Sequence, residues 1–166
     1  MGANSTPDST RTTRTMTPNE KLALLAPDLT KAFPRSPRET LGGYVVAART
    51  LDKCRALLAG SNGEYHFDCP LDRTFFDFTG ISADEFKAFA ATGATDAEMA
   101  EWITTHSKIK EQTDIVLWNN KMRYTRPCDM PPELQMFLEG YIPQFVRKNR
   151  PVYVWFDVYD IEEQRL

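Results

Sequence analysis

The chain has 166 residues and a formal net charge of −3, its 20 Lys and Arg interspersed among 23 Asp and Glu at a pI near 5.4. That balance offers no basic field to a phosphate backbone, so nucleic acid is excluded as a partner. A hydrophobic content of 42% can fill one sizeable core, no apolar run reaches the length that spans a bilayer, and three cysteines make no disulfide framework. The expectation is a soluble cytoplasmic protein with no membrane partner.

Residues 1–19 are rich in Ser and Thr and offer little apolar surface, so a disordered tail is expected ahead of one helical domain over residues 20–166. Arg11 and Arg14 suggest a transit peptide and Met1-Gly2 with Thr6 matches a myristoylation pattern, but the tail lacks helical amphipathicity and neither is adopted. A short helical turn is expected over Glu20 to Leu25. Pro27, Pro34 and Pro37 then favour an extended crossing.

The main helix is predicted from Pro37 to Gly60, with Ser36 as N-cap and Glu39 three residues on. Leu41, Tyr44, Val45, Ala48, Leu51 and Leu58 share one arc, while Val46, Arg49, Thr50 and Lys53 point the other way. Asp52 and Arg55 also project into the apolar arc. Isolated charges there would cost several kcal/mol, so the two are expected to pair.

After the Ser61-Asn62-Gly63 turn, Glu64-Tyr65-His66-Phe67 alternates polar and aromatic residues as a short extended segment does. Pro70 suits the first position of a helix that turns Leu71, Phe75 and Phe78 inward and stops at Gly80. Ser82 with Glu85, and Thr95 with Glu98, read as capping boxes for two more helices, the second carrying Met99, Trp102, Ile103, His106 and Ile109 as one stripe. A helix from Thr113 or Asp114 uses Ile115, Trp118 and Met122. Leu134, Phe137, Leu138, Tyr141 and Phe145 keep helical register past Pro143, where a kink or break is expected. Residues 152–159 have strand propensity, but Val152, Trp155, Phe156 and Tyr159 form a helical stripe and no partner strand is evident, so helix is assigned. The fold class is therefore mainly α: a compact single-domain bundle of about six to seven helices, with one short extended segment after the main helix.

LDKCRALLAG, the following GEYHFDCPLD with its FFDFTG continuation, and the helices bearing Trp102 and Trp118-Asn119 together resemble a family of small bacterial proteins classed as a domain of unknown function. The resemblance covers roughly Asp28 to Glu163. It implies a compact, mostly helical bacterial domain and transfers no catalytic residue.

Candidate site residues come from two places. Asp52 and Arg55 are either a structural ion pair or an anion anchor, since a guanidinium fork suits carboxylate or phosphate. Glu64, Tyr65, His66, Asp68 and Cys69 crowd a loop, where His66 with Glu64 or Asp68 has the make-up of a general acid–base group, or where the polar residues simply cap the next helix. His66-x-x-Cys69 lacks the second close pair that completes a zinc site, and no metal or cofactor is expected. Cys54 reads as a packed hydrophobe and His106 as a satisfied core histidine. The favoured reading is a module that binds an unidentified small molecule or protein through a polar pocket near Arg55 and the GEYH loop. The alternative is a small enzyme using His66, with Arg55 as anion anchor.

Overall fold

In the computed structural model, which describes residues 14–166, Thr17 and Glu20 close a reciprocal capping box that starts helix α1, Pro18–Leu25. The expected disordered tail falls outside the described residues over 1–13, while Pro18 and Asn19 belong to α1. Seven further helices follow: α2 Ala47–Ala59, α3 Pro70–Thr79, α4 Ala83–Ala90, α5 Asp96–His106, α6 Gln112–Tyr124, α7 Pro132–Phe145 and α8 Trp155–Glu162. The described residues form a mainly α fold with no strand.

The main helix begins at Ala47, not at Pro37. Gly42 (φ 59°), Gly43 (φ 88°) and Val46 (φ 71°) break the helical path, and the chain makes a turn closed by paired backbone bonds between Leu41 and Tyr44. Glycine is required at 42, because a Cβ there would lie 3.1 Å from the Ala100 carbonyl oxygen as well as in a left-handed backbone. Asn119 of α6 pins this turn: its amide accepts from Val45 N–H at 3.0 Å and donates to the Gly43 carbonyl at 2.8 Å. Ser36 does not cap a helix. Its hydroxyl donates to Asp160 instead.

Other caps follow the residue types. Thr95 and Glu98 form a full capping box, Ser82 accepts from Glu85 N–H, Pro70 opens α3, and Gly60 and Gly80 end α2 and α3 in left-handed geometry. The segment after α2 is a set of turns rather than an extended strand, with Tyr65 N–H donating to the Asn62 carbonyl and Asn62 Nδ2 donating back to the Tyr65 carbonyl. Helix α7 runs on past Pro143 to Phe145 without breaking, although Pro143 has no amide to donate to the Glu139 carbonyl. Residues 155–162 are helical. The Asp157 carboxylate accepts from the Tyr153 and Val154 amides and so caps α8 from within its first turn.

Helix α2 is the hub, every residue from Ala47 to Ala56 being buried. Tyr44 meets Phe75 and Trp118 edge-on, Phe78 stacks on Trp118, and Phe86 packs against Phe75 and Phe76 in one aromatic cluster. His106 is not in that core: it is exposed, stacked on Trp102 at the end of α5. No helix among the described residues is long and apolar enough to cross a membrane.

Candidate functional site

Burial on every side of α2 forces its charges to find partners, since an unpaired buried ion costs several kcal/mol. Asp52 and Arg55 do not pair with each other. The Asp52 carboxylate takes the Arg35 amide at 2.8 Å and the Arg35 guanidinium at 2.7 Å, and Arg35 in turn reaches Asp96 at 2.7 Å. Arg55 closes the chain, donating to Asp96 at 2.6 Å and to the Ala94 carbonyl at 2.7 Å. The linked residues Asp52–Arg35–Asp96–Arg55 tie α2 to the start of α5. Burial pushes the Asp96 carboxyl up, but hydrogen bonds and charge from Arg55 and Arg35 outweigh it and hold Asp96 below the usual carboxylate range.

The opposite face of α2, pointing away from the apolar arc, carries Arg49 at 2% and Lys53 at 3% exposure. Each is matched. Arg49 forms a two-pronged pair with Glu163, at 2.8 and 2.5 Å, and its guanidinium lies 4.9 Å from the centre of the Tyr159 ring and 5.6 Å from that of Tyr65. Lys53 Nζ contacts Asp72 at 2.8 Å and donates to Cys69 Sγ at 3.1 Å. Both sets of partners come from elsewhere in the chain, Glu163 after α8 and Cys69 and Asp72 at the start of α3.

These two cations form one wall of a cavity of about 1160 Å³. The GEYH loop supplies Glu64, Tyr65 and His66; α7 supplies Leu134, Phe137, Leu138, Tyr141 and Phe145; α8 adds Trp155, Val158, Tyr159 and Glu162. The i, i+3, i+4 stripe of α7 borders this space: Leu138 is buried in the core beside it, while Phe137 and Phe145 are more than half exposed. Polar groups sit at defined points of an otherwise apolar lining. Tyr65 donates to Glu163 at 3.0 Å, and Tyr141 donates to Glu162 at 2.7 Å. Burial raises the Tyr65, Tyr141 and Tyr159 phenols well above their ordinary range, so all three are neutral. Burial also raises the Glu162 carboxyl, against the lowering effect of the Tyr141 hydrogen bond.

The candidate residues thus divide. Glu64, Tyr65, His66 and Cys69 line the cavity, whereas Asp52 and Arg55 are outside its lining. His66 is exposed, and Asp68 is engaged by Arg73 at 3.4 Å. Cys54 is fully buried, its thiol pushed up to about 12 by burial, which removes it as a nucleophile. Arg49, Lys53, Tyr141, Tyr159, Glu162 and Glu163 were not singled out from the sequence. The available signal was four charged residues within the 13 of α2, too many for one solvent face. Among the described residues, no cluster of three or more His, Cys, Asp and Glu is placed to hold a metal ion.

The cavity's two conspicuous sequence segments, LDKC on α2 and GEYHFDC ahead of α3, meet at Lys53 and Cys69. No curated protein matches the chain. The family described as Domain of unknown function (DUF5069) matches residues 31–165, a span that holds most of the cavity's lining and both ion-paired faces of α2, and the chain belongs to that family.

Proposed function

We propose that the protein is a binding module for a small, largely apolar molecule taken up between α2, the GEYH loop, α7 and α8. The observation that carries this reading is the cavity, which at about 1160 Å³ stands slightly above the roughly 300–1,000 Å³ common for ligand pockets and is lined by aromatic and aliphatic side chains around a few fixed polar groups. Its charges are largely committed. Arg49 is held by Glu163 and Lys53 by Asp72, so affinity would come mainly from apolar contact, with Tyr65, Tyr141 and Glu162 orienting a polar end. A cytoplasmic setting accords with this reading, because all three cysteines are free thiols.

The test uses N-phenyl-1-naphthylamine, a neutral probe that fluoresces on leaving water. The wild-type chain should bind it saturably and gain thermal stability as the probe exceeds its Kd. Leu134→Trp, which fills the cavity from α7, should abolish both effects. Absence of saturable binding by wild type, or unchanged binding by the filled variant, overturns the reading.

A further inference from the structure

The charges that line the cavity do not balance once its ion pairs are matched. Of the Lys and Arg side chains in the lining, Lys31 pairs with Asp28, Arg49 with Glu163 and Lys53 with Asp72. Among the described residues, the lining carboxylates Glu162 and Glu64 have no Lys or Arg partner. Glu162 is partly buried and takes only the Tyr141 hydroxyl, at 2.8 and 2.7 Å, and Glu64 is exposed on the GEYH loop. Burial raises the Glu162 carboxyl, and the charges of Glu163 and Glu64 raise it further, so its ionised form is held at a cost that a cation beside it would relieve. Tyr141 also sets this carboxylate beside a row of aromatic rings. Phe137, Tyr141 and Phe145 follow one another along α7 with centroid spacings of 5.5 and 4.3 Å. Arg49 already meets the rings of Tyr65 and Tyr159, whereas no protein cation lies over the three α7 rings among the described residues. Aromatic faces attract ammonium groups electrostatically. Apart from the two buried ion pairs, the buried part of the lining is apolar, with Leu71, Leu138, Trp155 and Val158 in it.

We propose that the ligand of this cavity is an organic ammonium ion with an apolar body, its charged head beside the Glu162 carboxylate and the α7 rings and its body against Leu138 and Val158. The Glu162 oxygens accept one hydroxyl proton from Tyr141 and keep lone pairs free for an ammonium N–H. Glu64 adds a second negative charge on the exposed side, which draws a cation toward the opening. An anionic head would face these two carboxylates and find Arg49 and Lys53 already occupied by Glu163 and Asp72. The assignment rests on the ligand-binding reading above and adds to it the charge of the polar end.

Decylamine, protonated at neutral pH, is compared with 1-decanol and decanoate, which carry the same chain length on a neutral and an anionic head. Each is titrated into the full chain by isothermal titration calorimetry, below the concentrations at which micelles form. Wild type should bind decylammonium at least about tenfold more tightly than either of the others. Glu162→Gln removes the charge and keeps a partner for the Tyr141 hydroxyl. It should cut that preference to under about threefold while moving the decanol Kd by less than about twofold, the retained decanol binding reporting a folded cavity. Tyr141→Leu, which removes the central ring, should weaken decylammonium more than decanol. Glu139→Gln removes the same charge from an exposed position of α7 outside the cavity lining and should leave the preference intact. Equal binding of the three by wild type, tighter binding of decanoate, or a preference that survives Glu162→Gln overturns the cation assignment and leaves the cavity reading standing. A preference lost equally in Glu139→Gln also overturns it, since the overall negative charge of the chain would then be the cause. Failure of all three to bind wild type removes the cavity reading and the cation assignment together.

Discussion

Glu162 and Asp96 show how the same residue class is driven in opposite directions by its surroundings. Glu162 is partly withdrawn from water with only the Tyr141 hydroxyl as hydrogen-bond partner, and burial raises its pKa above the unfolded value near 4.3. The folded state therefore holds that proton more tightly than the unfolded state, and this contribution to stability declines as pH rises through the folded pKa. Glu162→Gln should accordingly be more stable than wild type at pH 7.5, with the gap closing toward pH 4, as measured by urea unfolding at each pH. Asp96 is the reverse case. Arg55 and Arg35 lower its pKa despite burial, so its contribution is complete above the unfolded value near 3.9 and is lost as pH falls through the folded value. Asp96→Asn should flatten the acid limb of the stability curve, and a limb as steep as wild type would show that the Arg35–Asp96–Arg55 link carries no net charge stabilisation.

At the scale of elements, the turn before α2 contains a residue that local preference disfavours. Val46 has φ 71° and ψ −37°, a conformation that a β-branched side chain reaches only under strain. It is held there by its N–H to the Pro37 carbonyl, by its carbonyl accepting from Thr50 N–H, and by complete burial. Val45 is equally buried and has no positive φ. Val45→Gly should cost about 3 kcal/mol through lost burial and backbone entropy. Val46→Gly should cost less by about 1–3 kcal/mol, because glycine releases the strain. Equal losses in equilibrium denaturation would mean that the turn is not strained at 46.

Across the whole molecule, the last helix is fastened to the first half of the chain by ions rather than by apolar contact alone. Arg38 reaches Asp157 at 2.7 Å and also contacts Asp160, Arg49 grips Glu163, and Arg165 donates to the Pro34 carbonyl. The central pair is almost fully buried, with Arg49 and Glu163 side chains 3% and 1% exposed. Glu163→Leu should destabilise by about 3–5 kcal/mol, since it strands a buried guanidinium. The double variant Arg49→Met with Glu163→Leu should recover much of that loss, because no uncompensated charge remains. A double variant as unstable as the sum of its singles would show that the two side chains act independently. Because Glu163 closes one wall of the cavity, the same single variant should also weaken probe binding, linking the far end of the chain to the site.

The sequence by itself determined the helical class, most of the caps and the identity of the apolar stripes. Thr95 with Glu98, Pro70, Gly60 and Gly80 act through hydrogen bonds and dihedral limits that lie within a few residues, so their roles can be read locally. Tertiary structure decided where the stripes face and whom the charges meet. The α7 stripe borders a cavity, and the face of α2 that carries Arg49 and Lys53 is as buried as its apolar arc, because helical periodicity tells which residues share a face and not what covers it. The same limit applies to pairing. Asp52 and Arg55 stand three residues apart, yet Arg35 and Asp96 claim them, while Glu163 comes from 114 positions away to hold Arg49. Burial makes each charge take the partner with the best geometry, and only the folded chain brings distant partners within reach.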